Sequence, residues 1–165
     1  MKKIKMTREM SVFKEKYVFT DDQDIEVFIG HRDVKKFKRN IFLENLNTKE
    51  EFRIEEKVFT FHHLYEVYKD DDLLFSVKET KKDKKAYFEI DNLDMHIVGD
   101  SSNYKLNNYQ YKIFENKEVL AELGAVLGSK LKCNIAVQEN TDLNKVFILT
   151  TIVSMVLAIS IGRPN

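Results

Sequence analysis

Residues 146–161 (VFILTTIVSMVLAISI) run for sixteen positions without a charge, bracketed by Lys145 and Arg163. Bulky apolar side chains surround every face of the helix this segment would form, apart from a stripe of small residues at Thr150, Thr151, Ser154 and Ala158. Such a helix has no solvent face, so protein or lipid must enclose it. At about 1.5 Å per residue it spans roughly 24 Å, short of the ~30 Å apolar layer of a bilayer. Length therefore favours enclosure by the rest of the chain, with a tail anchor in a membrane as the alternative.

The preceding residues can supply that enclosure. Their apolar positions alternate with period two, as in strands with one buried face. Ile25, Val27 and Ile29 point one way, as do Ile41 with Leu43, Phe52 with Ile54, and Tyr65 with Val67. The pattern continues through Leu73, Phe75 and Val77, then Phe88 and Ile90, then Leu93, Met95 and Ile97. Tyr109, Tyr111 and Ile113 follow, then the odd positions of 119–127 and of 131–137. Acidic and Asn-rich clusters at 21–24, 44–47, 70–72, 91–92, 100–103, 115–117 and 139–142 separate the runs. Asn and Asp hydrogen-bond their own backbone and tolerate left-handed conformations, so each cluster is a turn. An aromatic, acidic turn, apolar unit repeats at 17–29, 65–77 and 111–123. About six hairpins, or a dozen short antiparallel strands, result. Closing them into a barrel removes exposed edges, and a core helix explains the terminal segment.

The 165 residues suit one domain spanning 1–165, and 43% apolar content supports a sizeable core. Lys+Arg and Asp+Glu number 27 each, which argues against a globally basic nucleic-acid binder, so no nucleic-acid partner is expected. The lone Cys133 excludes an intramolecular disulfide and fits a reducing compartment, hence a cytoplasmic location. MKKIKMTREM has no apolar run behind it, so a secretory leader is not expected. The Lys- and Asn-rich composition matches a bacterium with an AT-rich genome.

Hairpin repeats followed by one terminal apolar helix resemble the LURP-one-related family of the tubby C-terminal-like superfamily, over roughly residues 12–161. The matching segments are LYEVYKD at 64–70 running into LFSVK at 74–78, then FEI at 88–90 followed by HIVGD at 96–100. YKI at 111–113 leading to VLAEL at 119–123, and the closing helix, complete the match. The resemblance implies a closed antiparallel barrel of about twelve strands around the C-terminal hydrophobic helix, related to phospholipid scramblases. It implies phospholipid or membrane association as a theme, and supplies no catalytic residue or cofactor.

Two basic clusters carry the candidate lipid contacts: Arg32, Lys35, Lys36, Lys38 and Arg39, and Lys78 with Lys81, Lys82, Lys84 and Lys85. A polybasic patch gains about 1 kcal/mol per residue beside an anionic membrane. The same lysines would equally suit solvated connections and protected strand edges. His62 and His63 are adjacent, so on a strand they face opposite ways, and no metal-ligand spacing accompanies them. Cys133 alternates with Leu131 and Ile135, which puts it in the core. The acidic turns lack the Gly and Glu positions of a calcium loop. No phosphate loop, nucleophile elbow or dinucleotide fingerprint is present. The sequence thus points to a non-enzymatic binding or scaffold domain without cofactor or metal. Its expected partner is an anionic phospholipid surface at the inner face of a membrane. The alternative is a soluble module that binds an unknown protein and never meets lipid.

Overall fold

The computed structural model of the chain describes residues 1–33, 40–57, 63–82, 85–100 and 108–161. Twelve strands precede one helix: β1 (Lys2–Met10), β2 (Lys14–Thr20), β3 (Glu26–Asp33), β4 (Asn40–Asn45), β5 (Glu51–Lys57) and β6 (Leu64–Lys69), then β7 (Asp72–Lys82), β8 (Lys85–Asp91), β9 (Met95–Asp100), β10 (Asn108–Glu115), β11 (Glu118–Leu127) and β12 (Leu131–Val137), with the helix α1 (Leu143–Ile161) last. Each strand pairs antiparallel with its neighbours in sequence, and β1 closes the ring against β12 from Lys2↔Val137 to Arg8↔Leu131. Closure leaves no free edge in the sheet.

The expected alternation holds for most strands. Ile41 and Leu43, Phe52 and Ile54, Tyr65 and Val67, Phe75 and Val77, and Phe88 and Ile90 are buried, as are Cys133 and its neighbours on β12. Two positions differ. On β3 the buried residues are Phe28 and Gly30, while Ile25 is exposed and Val27 and Ile29 are half-buried. Pairing of Tyr17 with Gly30 and of Phe19 with Phe28 fixes that register and turns Phe28 inward. On β7 a register shift between Val67 and Tyr68 leaves Leu73 exposed. The amino-terminal segment 2–10 forms a strand with only Ile4 and Met6 as buried apolar positions.

The turn clusters behave as expected, and they do so without glycine. Asp24, Lys49, Asp70, Asn92, Asn116, Lys117 and Asn140 hold positive φ, whereas no glycine among the described residues does. The Asp21 carboxylate accepts from the backbone N–H groups of Gln23 and Ile25 at 2.9 and 3.0 Å. The cluster at 100–103 falls largely outside the described residues. Gly30 and Gly99 serve close packing instead. A Cβ on Gly99 would sit 2.5 Å from Tyr111 Cε1, with Ala86 Cβ at 3.2 Å. Gly99→Ala is expected to cost about 1–3 kcal/mol by overpacking, measured by denaturant unfolding.

α1 starts one turn before the apolar run, where Asp142 Oδ1 accepts from the Asn144 N–H at 3.1 Å as an N-cap. From Val146 to Leu157 every side chain is buried, so strands surround all faces of the helix. Phe147 packs against Phe19 and Phe28 at ring separations of 4.9 and 5.0 Å. The small polar stripe satisfies itself: the hydroxyls of Thr150, Thr151 and Ser154 donate to the carbonyls of Val146, Phe147 and Thr150. Water is therefore unnecessary inside. The tail-anchor alternative is corrected by this enclosure, and among the described residues no helix is long and apolar enough to cross a membrane.

Candidate functional site

An antiparallel meander sends successive connections to opposite ends of the barrel, and here that sorts charge. The end where α1 enters collects the connections at 21–25, 46–50, 70–71, 92–94, 116–117 and 138–142. Their sequence holds nine Asp or Glu and two Lys. The far end is marked by the strand ends Met10 and Lys14, Asp33 and Asn40, Lys57 and Leu64, Lys82 and Lys85, Asp100 and Asn108, and Leu127 and Leu131; the sequence between them, of which 34–39, 58–62, 83–84 and 101–107 lie outside the described residues, holds seven Lys or Arg and one Asp. A chain of zero net charge thus carries acidic turns at one end, its acidic pole, and basic sequence between the strand ends of the other, its basic pole.

Of the two sequence-predicted clusters, the structure describes Arg32 on β3, Lys78, Lys81 and Lys82 on β7, and Lys85 on β8. Lys35, Lys36, Lys38, Arg39 and Lys84 lie outside the described residues. The strand ends that bracket them, Asp33 with Asn40 and Lys82 with Lys85, are all at the far end. Lys81 and Lys82 finish β7, Lys85 opens β8, and Lys78 is exposed. Arg32 is different. Its Nη2 donates to Glu15 Oε2, so it is committed to an internal ion pair and is only 20% exposed.

Glu15 anchors a cluster that sequence reasoning missed. Along β2 it occupies an inward position two residues before Tyr17, and it is fully buried. Arg8 Nε and the Tyr17 hydroxyl each donate to Glu15 Oε1 at 2.5 Å. Burial acts to raise the carboxyl pKa, but the Tyr17 hydroxyl, Arg32 and Arg8 together hold it below the usual carboxylate range. Tyr17 is driven upward by burial and by Glu15. Residues 8, 15 and 32 are too far apart in sequence to signal one another; the strand register alone, Arg8↔Tyr17 and Glu15↔Arg32, assembles them.

A second missed feature is the β1–β2 hairpin tip beside this cluster. Met10, Val12 and Phe13 are 60, 82 and 50% exposed, an apolar tip on the basic end. An open cavity of about 1070 Å³ adjoins it. Met10, Ile29 and Phe42 give it apolar walls, Lys14, Lys16, Arg32 and Lys130 bring positive charge, and Glu9 and Glu15 bring negative charge. Arg32 Nε is buried with no hydrogen-bond partner among the described residues.

The remaining candidates take structural roles. His62 lies outside the described residues; His63 Nε2 is 3.7 Å from Glu79. His96 stacks between Tyr87 and Phe114 on neighbouring strands, with ring separations of 5.5 and 4.8 Å. Burial pushes the Cys133 thiol up to about 12, which suits core packing and opposes nucleophilic use. Among the described residues no group of three His, Cys, Asp or Glu is placed to hold a metal ion. Asp21 spends its side chain within its own turn, while Asn45 accepts from its turn through Oδ1 and donates through Nδ2 to Asn144 Oδ1 of α1 at 2.7 Å.

The family model described as LURP-one-related matches residues 2–155. No curated protein and no solved structure matches the chain.

Proposed function

The chain belongs to the LURP-one-related family, and from that premise we propose that it is a non-enzymatic binding domain whose basic pole docks reversibly on anionic phospholipid. The observation that supports this reading is the basic sequence between the far strand ends, beside which Met10, Val12 and Phe13 of the β1–β2 tip are exposed. Anionic headgroups attract each nearby Lys or Arg by about 1 kcal/mol within a Debye length. Insertion of Val12 and Phe13 adds up to about 1.5–3 kcal/mol for each side chain fully removed from water. The acidic pole then faces away from the surface, so orientation follows from the charges. A cytoplasmic protein acting at the inner leaflet fits this chemistry, because anionic lipids concentrate there.

The interior offers no competing ligand chamber, because α1 occupies it with Val146 through Leu157 buried. Binding by the outer surface and the ends is what remains. Co-sedimentation with phosphatidylcholine vesicles, with and without phosphatidylserine, tests the proposal. Binding is expected to anionic vesicles alone, to disappear in high salt, and to weaken by about tenfold or more in a Val12→Asp, Phe13→Asp double variant. Absence of binding under every condition would replace it with the reading of a soluble protein-interaction module.

A further inference from the structure

The cavity beside the β1–β2 tip is a recess with walls. Lysines on a convex surface attract any anionic membrane; a recess lined by both cations and apolar groups selects a molecule with both characters. Its volume of about 1070 Å³ is enough for a lipid-sized ligand, at the upper end of the ~300–1,000 Å³ common for small-molecule sites. The Glu15 cluster at its edge is unbalanced, since one carboxylate faces the guanidinium groups of Arg8 and Arg32. Arg32 also keeps a buried Nε donor without a partner among the described residues. Native structures rarely leave such a donor unsatisfied.

On the outer face, β2, β3 and β4 align Lys16, His31 and Phe42 in one cross-strand row. The His31 and Phe42 rings lie 6.0 Å apart, and Phe42 remains 48% exposed. Phe42 thus keeps about half of its surface open beside Lys16 and His31. All three belong to the cavity lining.

We propose that this cavity holds one amphipathic anion at a time, a phosphate or carboxylate head joined to an aliphatic chain. The head meets Lys14 and Lys16, and the chain lies along Ile29 and Phe42. The proposal rests on the reading that the basic pole meets lipid, and it narrows that reading from a charged surface to a single molecule. The shared chemistry covers a membrane phospholipid and a free fatty acyl anion.

Calorimetric titration of the full chain with dodecyl phosphate, kept below its micelle concentration, separates these ideas. Inorganic phosphate and the uncharged dodecyl maltoside are the comparison probes. Expected is saturation at one dodecyl phosphate per chain, roughly tenfold or more tighter than either comparison probe. Phe42→Ser and Lys16→Glu, both at exposed outer-face positions, should each weaken it by about fivefold or more while the thermal transition stays in place. Equal binding of dodecyl maltoside overturns the proposal, as does a titration with dodecyl phosphate that never saturates. Those results leave the vesicle result intact, so failure of the cavity and failure of membrane docking are distinguishable. Tight dodecyl phosphate binding with no vesicle binding supports the cavity, assigns it a free amphiphile, and removes the membrane reading. Tight binding together with vesicle docking that Phe42→Ser weakens supports the cavity and assigns it a membrane lipid.

Discussion

Ile152→Asp is expected to abolish the fold, or to lower its thermal midpoint by about 10–20 °C where folded protein survives. Ile152 lies mid-way along α1 with no exposed surface, inside a closed ring of strands. Truncating such a side chain to alanine already costs about 2–5 kcal/mol through lost burial and the residual cavity. Aspartate adds an unpaired charge, or the uptake of a proton, in a site with no cationic neighbour on the helix between Val146 and Leu157. Domain stabilities of about 5–15 kcal/mol leave little margin for that sum. Val126→Asp is the matched control, because Val126 is 46% exposed on β11; its cost should stay within about 0.5 kcal/mol. Thermal unfolding by circular dichroism reads both. A cooperative transition for Ile152→Asp within a few degrees of the parent would mean that α1 is not the axis of the barrel.

Glu15→Gln is expected to destabilise by about 3–5 kcal/mol at neutral pH, although it conserves shape. The change leaves the Arg8 and Arg32 guanidinium groups facing each other around a neutral amide, both only 14–20% exposed. The dependence on pH has a definite sign. The folded-state pKa of Glu15 is depressed, so its ion pairs stabilise above the ordinary carboxylate pKa and are lost as pH falls through the folded value. The difference between parent and variant should therefore be largest near neutrality and shrink through the acidic range below the normal glutamate pKa. A triple replacement of Arg8, Glu15 and Arg32 by methionine should recover most of the loss, since replacing the whole ionic group removes the unpaired charges along with the pairs. Urea unfolding across pH measures all of this. A Glu15→Gln penalty that is small and constant with pH would contradict the cluster.

The barrel was legible because a strand with one buried face writes period two into its sequence, and one such strand followed another. Where the inward position holds something other than a large apolar residue, that writing fails. On β3 the inward residues after Phe28 are Gly30 and the ion-paired Arg32, so Ile25, Val27 and Ile29 offered a more regular pattern on the wrong face. On β1, Ile4 and Met6 alone carry the signal, and partnership with β12 was invisible until closure supplied it. The central helix was legible for the opposite reason: an uncharged segment with no solvent face has few places to go. Asp, Asn and two Lys in left-handed turns explain how a chain with five glycines makes its tight hairpins.

The functional end was legible only in part. Clusters at 32–39 and 78–85 stand out by composition, yet that the strand ends bracketing them share one end follows from the parity of the meander, in which every second pair of strand ends returns to the same side. The acidic turns, which in sequence look like punctuation, become the opposite pole by the same parity. The Glu15 cluster and the Met10, Val12 and Phe13 tip had no sequence signal beyond isolated residues in a polar context. Register brought the first together, and exposure in the folded chain marked the second.

The central claim is that the two ends of this barrel are different instruments, and matched charge reversals test it most directly. Lys81→Glu with Lys82→Glu alters the basic pole; Asp22→Lys with Asp71→Lys alters the acidic pole by the same amount in the opposite sense. Co-sedimentation with phosphatidylserine-containing vesicles at low salt compares them with the parent. The account predicts that the first pair loses binding, while the second binds as well as the parent or better. Equal loss in both pairs, or loss only on altering the acidic turns, would contradict it.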